Sequence, residues 1–244
     1  MKNSIKLFIS CSLFVTTMVH AQWSSEKKIK GNGKLITEKR NTASYDEIAI
    51  SGFFDVELVA GKEGHITIKG EENLLPLIKV EVVNQVLKIS TEKNKYITTS
   101  TGKQIVIVVP FENINQVSLT GSGDVITKNS ITSKIFAIKL VGSGDMKLAV
   151  ESDELDIDLN GSGNIQLTGT TVNSVANLKG SGDLNTSNLQ TKNVSATLSG
   201  SGNMNVYCID SLYARVTGSG DIAYKGNPSK KDIKVIGSGA ISKI

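Results

Sequence analysis

The chain has 244 residues, a formal net charge of +4, 23 glycines and only 5% aromatic side chains. So nearly neutral a balance lacks the concentrated basic charge that phosphate backbones require, and so few aromatics argue against a bulky globular core. Two cysteines, Cys11 and Cys208, are too few for a disulfide scaffold.

The first segment, Met1–Ala21, places Lys2 and Lys6 ahead of an apolar run, Leu7–Val19, and ends in the small-residue site Val19-His20-Ala21. That order predicts a secretory signal peptide. The run carries Ser10, Ser12, Thr16 and Thr17 and is shorter than the roughly 20 apolar residues of a spanning helix, so no transmembrane segment is expected after cleavage. Lipidation at Cys11 is the competing reading, but most of the apolar run follows that cysteine. Losing Lys2 and Lys6 leaves 25 basic against 23 acidic side chains, with Cys208 the one remaining thiol. The expected organisation is a signal peptide over 1–21, a linker over 22–27 and one β-solenoid over 28–244. Within it, 28–115 reads as diverged coils and 116–244 as regular repeats.

Over 28–115 the alternation of apolar residues around glycines is imperfect. With Gly52 as origin, Ile48 and Ile50 precede it and Val56 and Leu58 follow. Gly31, with Ile29 and Leu35, and Gly70, with Ile66, Ile68 and Leu74, fit the same frame loosely, which predicts about ten coils in all. Glu71–Ile78 contains Pro76 and reads as a helical turn or corner; Val80–Ser90 and Gln104–Val109 read as strands around a polar loop, Thr91–Lys103.

From residue 116 one phrase recurs seven times, Gly-Ser-Gly followed by Asp, Asn or finally Ala. Its glycine pairs are Gly121 and Gly123, Gly142 and Gly144, Gly161 and Gly163, Gly180 and Gly182, Gly200 and Gly202, Gly218 and Gly220, and Gly237 and Gly239. The first glycines are 21, 19, 19, 20, 18 and 19 residues apart, a spacing regular enough to be the length of one coil. Two residues before each stands Leu119, Leu140, Leu159, Leu178, Leu198, Val216 or Val235, and four after it another aliphatic residue, Val125 through Ile241. Apolar residues two apart on both flanks are the period of strands with one buried face. No single coil could bury that face alone, so the coils must stack, each aliphatic side chain contributing roughly 1.5–3 kcal/mol when fully buried. Glycine at the bend supplies positive φ or close backbone approach. The repeated serines, Ser122 through Ser238, are expected to form a ladder of hydroxyls meeting backbone groups of neighbouring coils. The fold class is therefore all-β, a parallel β-helix of about 19 residues per coil.

Chemistry-bearing residues are sparse. The column Asp124, Asp145, Asn164, Asp183, Asn203 and Asp221 would repeat at about 4.8 Å, where two carboxylates repel by roughly 0.9 kcal/mol in water and 3.5 at an effective dielectric of 20. Alternating Asn with Asp separates the charges and permits amide ladders; only Asp124 and Asp145 are adjacent, and they are the candidate calcium ligands. A phosphate-cradling role for the glycine loops lacks the helix that should follow and the closing Lys-Ser/Thr. A polysaccharide-active enzyme would gather carboxylates, basic residues and aromatics on one outward face. The outward column Ser118, Lys139, Asp158, Asn177, Thr197, Arg215, Lys234 is mixed, Arg40 and Arg215 are the only arginines, His65 reads as a surface residue beside a turn and the acidic run Glu151-Ser152-Asp153-Glu154 as a solvated loop. No catalytic residue and no cofactor is expected, and Cys208 reads as a packed or half-exposed side chain.

Ser44-Tyr45-Asp46-Glu47-Ile48, the stretch Ser51-Gly52-Phe53-Phe54-Asp55-Val56-Glu57-Leu58, then Glu72-Asn73-Leu74-Leu75-Pro76 and the Gly-Ser-Gly array together resemble the bacterial "putative auto-transporter adhesin, head GIN domain" family. The resemblance implies a right-handed β-helix-like fold, export, and a role in adhesion or surface binding, and brings no catalytic residues. The leading expectation is a non-catalytic exported binding or envelope-structural module, in the periplasm or at the cell surface, with an envelope or host glycan or protein as ligand. Alternatives are the polysaccharide-active enzyme and a calcium-stabilised solenoid. Ile244 lies three residues past Ile241 with no polar cap between, so end-to-end pairing of two copies is a further expectation.

Overall fold

The computed structural model describes residues 28–244, and the signal peptide and linker expected over 1–27 lie outside them. From Gln116 onward each repeat is one rung of a parallel stack. Gln116–Gly121, Ile131–Gly142, Asp145–Gly161, Asn164–Gly180 and Asp183–Gly200 pair in register, so that Gly121 sits against Gly142, Gly142 against Gly161 and Gly161 against Gly180. Ser211–Gly218 and Lys230–Gly237 continue the series. The chain forms a β-solenoid of about seven turns.

Register puts the aliphatic side chains into columns. Leu119, Leu140, Leu159, Leu178, Leu198 and Val216 are buried, and the residues four after the first glycine, Val125 through Ile222, line the same interior. Val235 departs from its column: it is 39% exposed, beside Ile233 at 48%, because no described coil lies above that rung.

At each bend the two glycines answer different demands. Gly161 has φ +140°, and a Cβ there would run into the carbonyl oxygen of Gly142. Gly163 has ordinary φ, yet a Cβ on it would strike the Gly144 carbonyl oxygen. Close approach lets the amides of Ser162 and Gly163 both donate to the Gly142 carbonyl, at 2.9 and 3.0 Å, a pattern repeated from Ser143 to Gly239. The ladder is therefore made by the serine backbone amide. The hydroxyls expected to form it point outward on exposed residues and engage no protein partner among the described residues.

The N-terminal third differs from the expectation of simple diverged coils. The frame at Gly52 is a true rung: Glu47–Gly52 and Asp55–Ala60 pair in parallel with Gln116–Gly121 and Asp124–Thr127. The frames at Gly31 and Gly70 are not. Leu35–Asn41 runs antiparallel to His65–Glu71, which is itself antiparallel to Val106–Phe111. Alternation of period two cannot tell a coil from a hairpin, which is why ten coils reduce to about seven. Ile78–Val83 and Val86–Thr91 form another antiparallel pair after the 3₁₀ turn Leu75–Leu77. Val86–Thr91 and Val106–Phe111 then pair in parallel with the outer edges of Glu47–Gly52 and Asp55–Ala60. The rung made by 47–60 thus lies between two rungs that follow it in the chain.

Polar side chains hold this closed end. Glu71 is buried, its carboxylate accepting the Gly33 amide at 2.6 Å, the Ser100 amide at 2.8 Å and the Ser100 hydroxyl. Burial pushes its pKa up, but the Ser100 and Gly33 hydrogen bonds and the Lys103 charge outweigh that and hold it below the usual carboxylate range. Arg40 donates to the carbonyls of Leu75, at 2.6 Å, and Ile78, so it is a brace. Buried Tyr45 donates its hydroxyl to the Pro110 carbonyl.

Candidate functional site

Two polar systems run along the outside of the stack. The first follows the bend. Asn164 donates its backbone N–H and its side-chain amide to Asp145 Oδ1, at 3.1 and 2.8 Å, and Asp183 returns its backbone N–H to Asn164 Oδ1 at 3.3 Å. Asn203 repeats this on Asp183 at 3.1 and 3.0 Å. Each amide separates two carboxylates that would otherwise be neighbours. The alternation fails at one end, where Asp124 is in register with Asp145 and faces Asp55 on its other side. Burial, then the Asp124 charge, raise the Asp55 pKa against the opposing Asp124 amide. Among the described residues no group of three or more His, Cys, Asp or Glu is placed to hold a metal ion. One oxygen of Asp145, a candidate calcium ligand, is already occupied by N–H donors.

The second system is the outward face of the sheet ending at the bends. Four outward columns cross it, and register fixes each strand's contribution. One strand presents Glu154, Asp156 and Asp158, the next Asn173, Val175, Asn177 and Lys179. Then come Asn193, Ser195, Thr197 and Ser199, followed by Ser211, Tyr213 and Arg215, and last Lys230, Asp232 and Lys234. Along the first column the Ser211 hydroxyl donates to Asn193 at 2.8 Å, Asn193 to Asn173 at 2.9 Å and Asn173 to Glu154 at 2.7 Å. Glu154 therefore stands within a strand at the foot of a ladder, and Glu151–Glu154 is not the loop read from its charge. The guanidinium of Arg215 lies 3.8 Å from the Tyr213 ring centroid and reaches Asp232 Oδ2 at 2.7 Å. That hydrogen bond is the main cause raising its pKa.

Asp156 and Asp158 share this face with Lys139, which is in register with Asp158. Burial, then the Asp158 charge, raise the Asp156 pKa, with Lys139 opposing. Asn177 donates to Asp158 at 3.1 Å. His65 is exposed at the start of its strand, and Cys208 is buried with its thiol donating to the Ser211 carbonyl at 3.0 Å. Burial is the main cause raising the thiol pKa. Tyr213 and the ladder from Glu154 to Ser211 were missed in the sequence; aligning the repeats seven and five residues before the first glycine would have revealed both columns.

The model of one known family matches residues 44–228, a span that takes in the rung at Gly52 and six of the seven Gly-Ser-Gly bends. The chain belongs to the family described as "Putative auto-transporter adhesin, head GIN domain". Crystal structures of similar proteins support the fold of this head GIN domain. A "putative adhesin" from Bacteroides fragilis superposes with a TM-score of 0.81 at 27% identity, covering 88% of this chain and 100% of that one. A "putative lipid binding protein" from Parabacteroides distasonis gives 0.73 at 26%, covering 89% and 100%. A "putative adhesin" from Parabacteroides merdae gives 0.71 at 23%, covering 89% and 99%, and shares the fold. No curated protein matches the chain. Membership in an adhesin-like family implies an exported or surface protein.

Proposed function

We propose that this head GIN domain is a non-catalytic binding module, working in the periplasm or at the cell surface, that lays its flat outward sheet face against an envelope or host glycan or protein. The observation that carries this reading is the face itself: strands held in register by the bends present four columns of side chains, the first of them ordered by the ladder from Glu154 to Ser211. Side chains fixed before contact lose little entropy on binding. Retention of envelope glycans or host-matrix components on immobilised protein, weakened by charge reversal on the face, would support it; recovering nothing under several ionic conditions would count against it. Protease accessibility in intact cells distinguishes surface from periplasm. The reading extends to end-to-end association of two copies at the rung carrying Ile233 and Val235, which a monomeric mass by light scattering at high concentration would remove.

A polysaccharide-active enzyme is the second reading, and Asp156 and Asp158 beside Lys139 are the observation that favours it. Against it, both carboxylates project from one strand on the same side, whereas glycoside hydrolysis needs two that flank the scissile bond. Turnover of a neutral or acidic glycan, lost in Asp156→Asn, would establish it.

A further inference from the structure

The outward face is not uniformly flat. Over its first two columns an open cleft of about 440 Å³ crosses four strands, lined by Asn173, Val175, Asn193, Ser195, Tyr213 and Lys230. Strands repeat at about 4.8 Å, so the cleft extends across them for on the order of 15 Å. We infer that this cleft binds a segment of an acidic oligosaccharide, an inference that rests on the binding-module reading and names its ligand class.

Three features converge on that chemistry. Tyr213 is 43% exposed and is held by Arg215, which Asp232 anchors in turn, so the ring keeps its place in the wall without a ligand. An exposed, pre-positioned aromatic surface suits the C–H face of a sugar ring. The amides of Asn173 and Asn193 are oriented by the ladder, and each keeps one N–H and one lone pair uncommitted. The Ser195 hydroxyl on the floor has no protein partner among the described residues. Directed amides and free hydroxyls match the vicinal hydroxyls of a saccharide, and the shallow opening admits a chain.

Charge selects an acidic sugar. Asp232 is engaged by Arg215, while Lys230 enters no ion pair among the described residues, leaving that end of the cleft positive. Beyond Val175 the strand carrying Glu154, Asp156 and Asp158 is acidic. A saccharide carboxylate is therefore drawn to the Lys230 end and repelled from the opposite end.

The test is calorimetric titration of the full chain with hexagalacturonate and with its methyl-esterified, uncharged form. Saturable binding of the acid is expected, weakened about tenfold or more by Tyr213→Ala and by Lys230→Ala, and abolished by Ser195→Trp, which fills the cleft. The ester should bind more weakly, and high salt should remove the difference. Unchanged melting temperatures separate these effects from misfolding, since the substituted side chains lie on the outward face. The inference is overturned if hexagalacturonate does not bind, or if it binds equally well to all three variants. In either case, retention of a glycan or matrix component elsewhere on the face would leave the binding-module reading standing.

Discussion

Asn164 commits its backbone N–H and its side-chain amide to the same oxygen of Asp145, 3.1 and 2.8 Å away, and so stands as a neutral spacer between Asp145 and Asp183. Removing the amide without changing the shape isolates the electrostatic part of this arrangement. Asn164→Asp should destabilise the stack by about 2 kcal/mol at neutral pH, roughly 0.9 from each neighbouring carboxylate at this solvated edge. Denaturant melts should show the loss shrinking in high salt and in acid.

The same contacts bear on calcium. One oxygen of Asp145 is saturated by N–H donors, and Asp124 has only Asp55 and Asp145 as carboxylate neighbours in its column. Thermal melts with millimolar calcium and with EDTA should coincide; a rise on adding calcium would instead favour the calcium-stabilised solenoid.

At the bends, backbone and side chain can be separated. Gly163→Ala forces a methyl into the Gly144 carbonyl and should destabilise by several kcal/mol, whereas Ser162→Ala removes an exposed hydroxyl and leaves the amide ladder intact. Its effect should stay within about 0.5 kcal/mol by chemical denaturation.

Leu159 and Val235 occupy equivalent column positions but differ in cover. Leu159→Asp buries an unpaired charge, costs several kcal/mol and should unfold the array, while Val235→Asp, on the open rung, should cost about 1 kcal/mol. Equal melting temperatures for the two variants would contradict the inward assignment of the column.

Glu71 gives a pH dependence of definite sign. Its folded pKa lies below the usual range, so its contribution is complete above the unfolded value, near pH 4.3, and is lost as pH falls through the folded one. Glu71→Gln should therefore melt below wild type at neutral pH, and the gap should close in acid.

How far the sequence disclosed this molecule depends on the range over which its signal repeats. The columns headed by Leu119 and Val125 are written once per coil, so a period near 19 suffices to find them. Asn164 between Asp145 and Asp183 was equally legible, because the alternation is the signal. The segments at Gly31 and Gly70 misled because an antiparallel hairpin alternates just as a coil does, and only the distant pairing of Leu35–Asn41 with His65–Glu71 decides between them. Glu71 looks like any surface acid until Gly33 and Ser100 converge on it. Tyr213 gained its meaning from Arg215 and from the cleft it lines, a relation between strands that no single repeat contains.

The placement of 47–60 between rungs formed by 86–111 and 116–127 has a consequence for how the chain assembles. A chain emerging amino end first presents this segment early, with both of its hydrogen-bonding margins bare. Neither margin is satisfied until tens of further residues have appeared, and the last partner is complete only at Thr127. Orderly winding from one end is therefore closed to this part of the molecule, and premature pairing with another chain is the hazard during that delay. The uniform windings from Ile131 onward need only the preceding turn as template, so growth there can proceed as fast as the polypeptide is delivered.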